Sequence, residues 1–199
     1  MRPDIQALVG GTGDSMAILG VSGGGVAGMA AALAARRAGH DVILFARPDT
    51  HPPAGGVQIA PNGWAALAGL GLAETAAIRS LRLDDITVRA LDSGASLIRL
   101  PLVQRYASFS RKALFGLLQD ALDDAGDVTR IPANLAHIDP QGGGRLTAID
   151  AAGQRQPCDG LIAAEGNNGP AGQHVTSGQR GNQPADKTAM RAQIPLAGL

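Results

Sequence analysis

Apolar residues near position 17 are arranged in a way that predicts a strand, a helix and a second strand. Residues 17–22, AILGVS, form a short apolar run, and residues 26–40, VAGMAAALAARRAGH, carry apolar residues at helical spacing. The apolar run DVILF follows at residues 41–45. A strand, a crossover helix and a strand form a right-handed unit with parallel strands, so the predicted fold class is α/β.

The next part of the chain predicts a short helix and a hairpin. Asn62 is expected to cap the helix, which carries Trp64, Leu67 and Leu70 as core residues. The alternating segments DDITVRAL and ASLIRLPL flank Asp92-Ser93-Gly94, a turn sequence typical of hairpins. We therefore expect a small antiparallel β element beside the parallel sheet.

A second regular helix is predicted to begin after Ser110. Ser110 is expected to cap RKALFGLLQDALDDAG, in which four leucines share one face and Gly126 follows the end. Three short strands, VTRI, LAHID and RLTAID, come next, and the last two are joined through residues 142–144. The segment CDGLIAAEG, residues 158–166, is interpreted as an apolar strand that runs into glycine. The predicted architecture is a Rossmann-like, mainly parallel sheet.

The composition indicates one folded domain with loose ends. The chain has 199 residues, of which 45% are hydrophobic and 17% charged, which is typical of a globular protein. Residues 1–15 carry glycines without periodicity and are expected to be a flexible leader. Residues 167–199 contain few large apolar side chains, so we expect a loosely ordered tail. The folded part is therefore predicted at residues 16–166.

Charge and cysteine content restrict the partners and the compartment. Seventeen basic residues balance seventeen acidic ones, so the sequence indicates neither nucleic acid nor an anionic membrane as a partner. No apolar stretch has the length of a membrane span, which predicts a soluble protein. The single Cys158 excludes an internal disulfide, and the cytoplasm is the expected compartment.

The residues that carry chemistry are three glycines between the first strand and the first helix. Gly23, Gly25 and Gly28 form the pattern G-x-G-x-x-G. In this pattern the first glycine permits a tight turn, the second lets a pyrophosphate approach the backbone, and the third lets the helix pack against the sheet. The helix N-terminus would bind the phosphates. A glycine-rich turn without a ligand is the plainer interpretation, and we favour binding of an anionic dinucleotide.

The end of the second strand departs from this pattern. A ribose-binding Asp or Glu is expected about 20 residues after the glycines, but Ala46 stands there and Arg47 follows. Either ribose binding is weakened, or Arg47 accepts a 2′-phosphate as in NADP sites. We favour weakened ribose binding.

Three blocks of sequence make the chain similar to the FAD-dependent aromatic hydroxylases, the family that includes para-hydroxybenzoate, salicylate and ubiquinone-biosynthesis hydroxylases. The blocks are GVSGGGVAGMAAALAARRAGHDVILFAR, GGVQIAPNGWAALAGLGL, and SRKALFGLLQDAL followed later by CDGLIAAEG. The resemblance implies that residues 16–166 form part of an FAD/NAD(P)-binding domain. It also implies FAD as cofactor, NAD(P)H as its reductant, and insertion of one oxygen atom of O₂ into a small phenol-like substrate.

The resemblance assigns roles to individual residues. Gly23, Gly25 and Gly28 match the pyrophosphate-binding glycines, and Arg47 matches the arginine that usually follows the ribose-binding glutamate. Arg111 matches an arginine that contacts the phosphate and ribityl region of FAD. Glu165 and Gly166 stand where the family has Asp-Gly, a motif that serves FAD and the nicotinamide nucleotide.

The chain also departs from the family. Ala46 and Glu165 replace family residues, and the sequence stops at Leu199, before a second flavin motif and a substrate-covering sheet. We therefore expect an amino-terminal part of the fold, with catalytic residues unknown and self-association through uncovered apolar surface. The alternatives are a non-catalytic nucleotide-binding remnant and an NADP-dependent reductase that uses Arg47.

Other reactive side chains carry no predicted site. The four histidines, His40, His51, His137 and His174, share no ligand spacing, and we assign no metal. Cys158 is expected in the core rather than as a nucleophile.

Overall fold

A computed structural model describes residues 16–48, 54–166 and 169–175. The predicted leader and most of the predicted tail lie outside these residues. Seventeen elements are described in chain order: β1 (Ile18–Ser22), α1 (Val26–Arg37), β2 (Asp41–Phe45), β3 (Gly56–Ile59), α2 (Pro61–Gly69), α3 (Ala73–Ile78), β4 (Leu81–Arg82), β5 (Asp85–Arg89), β6 (Ser96–Pro101), β7 (Ala107–Ser110), α4 (Arg111–Ala125), β8 (Val128–Ile131), β9 (Leu135–Gly142), β10 (Arg145–Asp150), β11 (Arg155–Cys158), β12 (Gly160–Ala163) and α5 (Pro170–Val175).

Four parallel strands form the sheet that carries the glycine motif. Their order is β12-β1-β2-β8, and β1 pairs with β2 on one side and with β12 on the other. The α/β prediction and the first βαβ unit are confirmed. The sheet contains strands from distant parts of the chain, because β8 and β12 join it more than 80 residues after β2.

Helix α1 ends at Arg37, and a glycine with left-handed backbone follows its C-cap, Ala38. Gly39 has φ +84° and donates its N–H to the carbonyl of Arg36 at 2.9 Å. His40 donates to the carbonyl of Ala35 at 3.1 Å. These two bonds form a Schellman motif, which satisfies carbonyls at the end of the helix. The chain then turns directly into β2.

Helix α4 packs across α1 and supplies much of the apolar core. Ser110 caps α4, as predicted, by accepting a hydrogen bond from the N–H of Ala113 at 3.1 Å. Gly126 follows its end with φ +59°. The face that contacts the core is made of Leu114, Leu117, Leu118 and Leu122, all buried. Because the chain contains few aromatic side chains, leucine and alanine fill most of the space between helices and sheet.

The remaining strands form three antiparallel sheets. Their orders are β11-β10-β9, β3-β7-β4 and β5-β6. The predicted hairpin around Asp92-Ser93-Gly94 is the β5–β6 ribbon. On one of its faces Val88 pairs with Ile98 and Ile86 pairs with Leu100, so four apolar side chains lie together. We call these four residues the ribbon face; three of them are at least 44% exposed.

Two details differ from the sequence prediction. Asn62 is not the cap of α2, because the helix begins at Pro61 and its N-cap is Ala60. Proline suits the first helical position because it has no backbone N–H, and an N–H there would have no partner within the helix. The segment beginning at Cys158 is two strands rather than one: Cys158 ends β11, and Gly160 begins β12. Within residues 167–199, the described part contains α5, whose Ala171 is buried.

Candidate functional site

The turn after β1 is built on a glycine that no other residue could replace without strain. Gly23 has φ +115°, and a Cβ at this position would overlap the carbonyl of Ala164. Its N–H donates to the carbonyl of Phe45 at 2.9 Å. Gly23 therefore packs the turn between the ends of β12 and β2.

The other two glycines of the motif have different roles. A Cβ on Gly28 would overlap the carbonyl oxygen of Gly23, so the start of α1 can lie against the turn only because Gly28 lacks a side chain. Gly25 has an ordinary φ of −80°, and a Cβ there would meet no atom of the described chain within 4 Å. Gly25 thus faces open space, where an approaching ligand would need it to be small.

The N-terminus of α1 presents backbone donors to this space. The first intrahelical bond described runs from the N–H of Met29 to the carbonyl of Gly25 at 2.9 Å. The N–H groups of residues 26–28 precede it and have no carbonyl one turn back in the helix. Together with the positive end of the helix dipole, they favour a negatively charged group such as a phosphate.

These donors border a cavity of about 520 Å³ at the carboxyl ends of β1 and β12. The glycine loop, Gly23 to Gly25, forms one side of the cavity. Arg47, which follows β2, contributes a positive charge. Asn134 and Leu135 lie opposite, at the start of β9. Five residues that follow β12 also line the cavity: Ala164, Glu165, Gly166, Gly169 and Pro170.

A chain of hydrogen bonds joins the end of β1 to α5 along the edge of this cavity. The hydroxyl of Ser22 donates to Oε1 of Glu165. The other carboxylate oxygen of Glu165, Oε2, accepts the N–H of Ala171 at 3.0 Å. Both oxygens of the half-buried carboxylate are therefore held by the protein.

A second cavity of about 220 Å³ adjoins the first and shares Gly24 and Arg47 with it. Its walls are mainly apolar, with Met29 and Phe115 among them. Ala46 lines it at the position where a ribose-binding acid is expected. Arg130 lies at the same cavity, paired with Asp123 at 2.5 Å.

The structure brings together five of the seven predicted cofactor residues. Gly23, Gly25, Arg47, Glu165 and Gly166 all line the larger cavity. The sixth, Gly28, packs behind the loop.

The seventh, Arg111, is at the start of α4, where its N–H donates to the carbonyl of Gly55 at 2.9 Å. It lines neither of the two cavities described above. Its predicted contact with a cofactor stays a prediction.

Sequence reasoning missed Ser22, Asn134 and Pro170 as lining residues. Ser22 could have been found from its position, because the last residue of a strand before a glycine loop lies at the ligand edge of the sheet. Asn134 and Pro170 carried no such signal, since they lie more than 100 residues beyond the loop in the sequence, and the segment before Pro170 reaches the loop only because β12 pairs with β1.

Other candidates behave as structural residues. Cys158 is 1% exposed in the core, and burial, aided by the nearby charge of Asp159, raises the pKa of its thiol. Trp64 packs against Phe109, with ring centroids 6.3 Å apart. In the described ranges, no group of three His, Cys, Asp or Glu side chains could hold a metal ion. No described helix is long and apolar enough to cross a membrane.

A parallel sheet, a tight glycine turn and a helix N-terminus beside a cavity define a dinucleotide-binding protein of the Rossmann class. No protein-family model matches the chain. It is 29% identical over 155 residues to 3-hydroxybenzoate 6-hydroxylase of Polaromonas naphthalenivorans, which covers 73% of this chain and 39% of that protein. It is 34% identical over 161 residues to a 3-amino-4-hydroxybenzoate 2-monooxygenase of Streptomyces platensis, covering 77% of this chain and 37% of that protein.

Solved structures show the same fold. The p-nitrophenol 4-monooxygenase of Pseudomonas putida superimposes with a TM-score of 0.70 at 17% identity, over 80% of this chain and 43% of that one. The HpxO protein of Klebsiella pneumoniae, complexed with FAD, gives 0.64 at 22% identity, over 76% and 40%. The chain is similar in sequence to hydroxybenzoate hydroxylases and aminohydroxybenzoate monooxygenases, and it spans about two fifths of the length of the curated relatives it matches.

Proposed function

We propose that this chain forms the FAD-binding portion of a flavin-dependent monooxygenase that hydroxylates a small phenol-like substrate with NAD(P)H and O₂. The observation that carries the proposal is the cavity of about 520 Å³ bordered by the glycine loop and by the N-terminus of α1. The curated relatives of this chain act on hydroxybenzoates and aminohydroxybenzoates, as their names state.

The residues of the larger cavity fit the diphosphate of FAD. Gly25 leaves room for a ligand against the backbone, and the N–H groups that begin α1 can donate to phosphate oxygens. Arg47 adds a positive charge at the same cavity. Glu165, although negative, has both oxygens occupied by protein donors, so its carboxylate is directed toward Ser22 and Ala171.

The smaller cavity fits an adenine ring better than it fits a ribose. Met29, Leu44, Phe115 and Leu122 give it apolar walls. Ala46 offers no side-chain acceptor to ribose hydroxyls. We infer that FAD binds with its diphosphate at the glycine loop, and that the adenosine end gains its affinity from apolar contact rather than from a ribose-binding acid.

Bound FAD would supply the redox chemistry, since flavins exchange hydride with nicotinamide nucleotides and react with O₂. The role of this chain's own residues is to bind and orient the cofactor. No residue of the described chain is assigned a catalytic role, and the substrate is named only by chemical class.

The proposal is tested by the visible absorbance spectrum of the full chain after incubation with FAD and removal of free flavin. Stoichiometric bound flavin is the expected result. The matched control is Gly25→Val, whose side chain would fill the open space at the loop while contacting no described atom through its Cβ. A colourless wild-type protein, or equal retention by wild type and variant, would contradict the proposal.

A second measurement addresses the reductant and the substrate class. The flavin-loaded chain is mixed with NADH or NADPH, with and without 3-hydroxybenzoate as the probe phenol. We expect flavin bleaching by at least one of the two nucleotides. Unbleached flavin with both would refute the assignment of NAD(P)H as reductant.

We also propose a cytoplasmic chain that self-associates. The ribbon face exposes Val88, Ile98 and Leu100 by 44%, 53% and 50%, which is unusual for a cluster of apolar residues on a monomer surface.

The cytoplasmic location is supported by the cysteine content. The lone, buried Cys158 fits a reducing compartment.

A further inference from the structure

We propose that Ser22 is a positioning residue of the nucleotide site, which acts through Glu165 to hold the cavity wall on the β12 side. The inference rests on the proposed FAD binding. Ser22 precedes the glycine motif and is not part of it.

Ser22 lies at the point where the strand order of the parallel sheet reverses. From β1 the chain adds β2 and β8 on one side of the sheet, and it returns at β12 on the other. Ligands of open α/β sheets bind in the crevice at such a reversal, beyond the carboxyl ends of the strands. Ser22 is the last residue of β1, and its neighbour across the reversal is Ala163, the last residue of β12.

The contacts of Ser22 bridge this crevice. Ser22 is 1% exposed, and its hydroxyl donates to Glu165, which lies just beyond β12. Glu165 in turn accepts the N–H of Ala171, which is 1% exposed in α5. A buried hydroxyl that donates to a carboxylate forms one of the stronger hydrogen bonds in proteins. The end of β1 is therefore tied to α5 through a single side chain.

This connection fixes one wall of the cavity. Gly169 and Pro170 line the cavity immediately before Ala171. A Cβ on Gly169 would overlap the carboxylate of Glu165, so the wall lies directly against this side chain. Without the Ser22 hydroxyl, Glu165 would keep only its bond to Ala171. The backbone bond from the N–H of Ala164 to the carbonyl of Ser22, at 2.8 Å, would still hold the start of the wall, but the side-chain link from β1 to α5 would be lost.

Loss of the Ser22 hydroxyl should affect the binding of the two halves of a dinucleotide to different extents. The adenosine half lies on the β2 side of the glycine loop in this fold, and the other half extends across the reversal. Removing the Ser22 hydroxyl should therefore lower the affinity for FAD more than the affinity for ADP. FAD spans the whole crevice, whereas ADP needs only the loop and the β2 side. A general loss of structure would weaken both ligands equally.

The test measures FAD and ADP affinities of the full chain by titration calorimetry. Ser22→Ala should lower FAD affinity by about tenfold, the size expected for one lost hydrogen bond to a charged group. It should lower ADP affinity by less than about threefold. Ser22→Thr, which keeps a hydroxyl, should restore FAD affinity to within about threefold. Thr129→Val removes a hydroxyl from β8 of the same sheet and should change neither affinity.

A double variant decides whether Ser22 acts through Glu165. Gln at position 165 can accept only one of the two bonds, so adding Ser22→Ala to Glu165→Gln should cost clearly less FAD affinity than Ser22→Ala alone. Fully additive effects, equal losses for FAD and ADP, or no loss in Ser22→Ala would each overturn the inference. Ser22→Cys, of similar size, replaces Ser22→Ala if the latter does not fold.

Binding measurements on the wild-type chain distinguish a failure of this inference from a failure of the proposed function. Wild-type protein that binds ADP but no FAD would overturn the proposed function, and the inference with it. Wild-type protein that binds FAD, with Ser22→Ala binding it equally well, would overturn the inference alone.

Discussion

Gly28 lies against the carbonyl oxygen of Gly23, with no room for a Cβ between them. Gly28→Ala should therefore force the start of α1 away from the turn. We expect the variant to lose about 1–3 kcal/mol of unfolding free energy, as overpacked sites do, and to lose FAD binding. Urea denaturation measures the first effect. A variant as stable as wild type would show that the turn is not packed as described.

Gly25→Ala is the matched substitution at a site with open space. Its φ of −80° suits any residue, and a Cβ there would meet no described atom within 4 Å. The lower entropy of the unfolded chain and the poorer capping by alanine should roughly cancel, leaving stability within about 0.5 kcal/mol of wild type. FAD affinity should fall by roughly tenfold or more because the new methyl group occupies the space at the loop. Unchanged affinity would place the diphosphate elsewhere.

The elements around the site could be predicted from local sequence, but its long-range contacts could not. Local patterns identified β1, α1, β2 and α4, because their apolar spacing and caps are contained in adjacent residues. Cys158 was correctly expected in the core, but the break between β11 and β12 was not predicted, since an apolar run does not reveal a change of sheet. The bond from Ser22 to Glu165 joins residues 143 positions apart, and no local pattern encodes such a pair.

Ala46→Glu should restore an acceptor for ribose hydroxyls at the end of β2. Ala46 lines the smaller cavity, and one hydrogen bond to a charged group is worth about 1.5 kcal/mol, so FAD affinity should rise by roughly tenfold. Ala46→Gln, of equal length without the charge, is the control and should gain less. Tighter binding of 2′-phosphorylated ADP than of ADP by the wild-type chain would instead support the interpretation in which Arg47 accepts a 2′-phosphate.

Cys158 should make the folded chain less stable in alkaline solution. Burial raises the pKa of its thiol above the ordinary value of 9.0, so the unfolded chain releases this proton at a lower pH than the folded chain does. The contribution of Cys158 to stability is therefore complete below pH 9 and decreases as the pH rises above it. Urea denaturation between neutral and alkaline pH should show the decrease, and Cys158→Ala should reduce it. Equal slopes in both proteins would contradict the burial effect.

The thiol should also be protected from reagents. Cys158 is 1% exposed, so a thiol-specific dye should label the folded chain far more slowly than the chain in denaturant. Rapid labelling under native conditions would show that β11 opens readily.

The ribbon face should govern self-association. Replacing Ile98 and Leu100 by threonine keeps strand propensity and removes apolar surface, so the dissociation constant of the self-associated form should rise by roughly tenfold. Leu97→Thr, one residue away and on the opposite face of the ribbon, is the control and should have a smaller effect. Sedimentation velocity measures both. A wild-type chain that is monomeric at all concentrations would contradict the prediction.

The position of β12 also has a consequence for synthesis on the ribosome. β1 and β2 can pair as soon as Phe45 has emerged, but the other neighbour of β1 begins only at Gly160. Until then, one edge of β1 has no strand beside it, and Ser22 has no Glu165 to contact. A nascent chain can thus form the glycine turn long before the crevice is complete, because more than 110 residues separate the end of β2 from the start of β12.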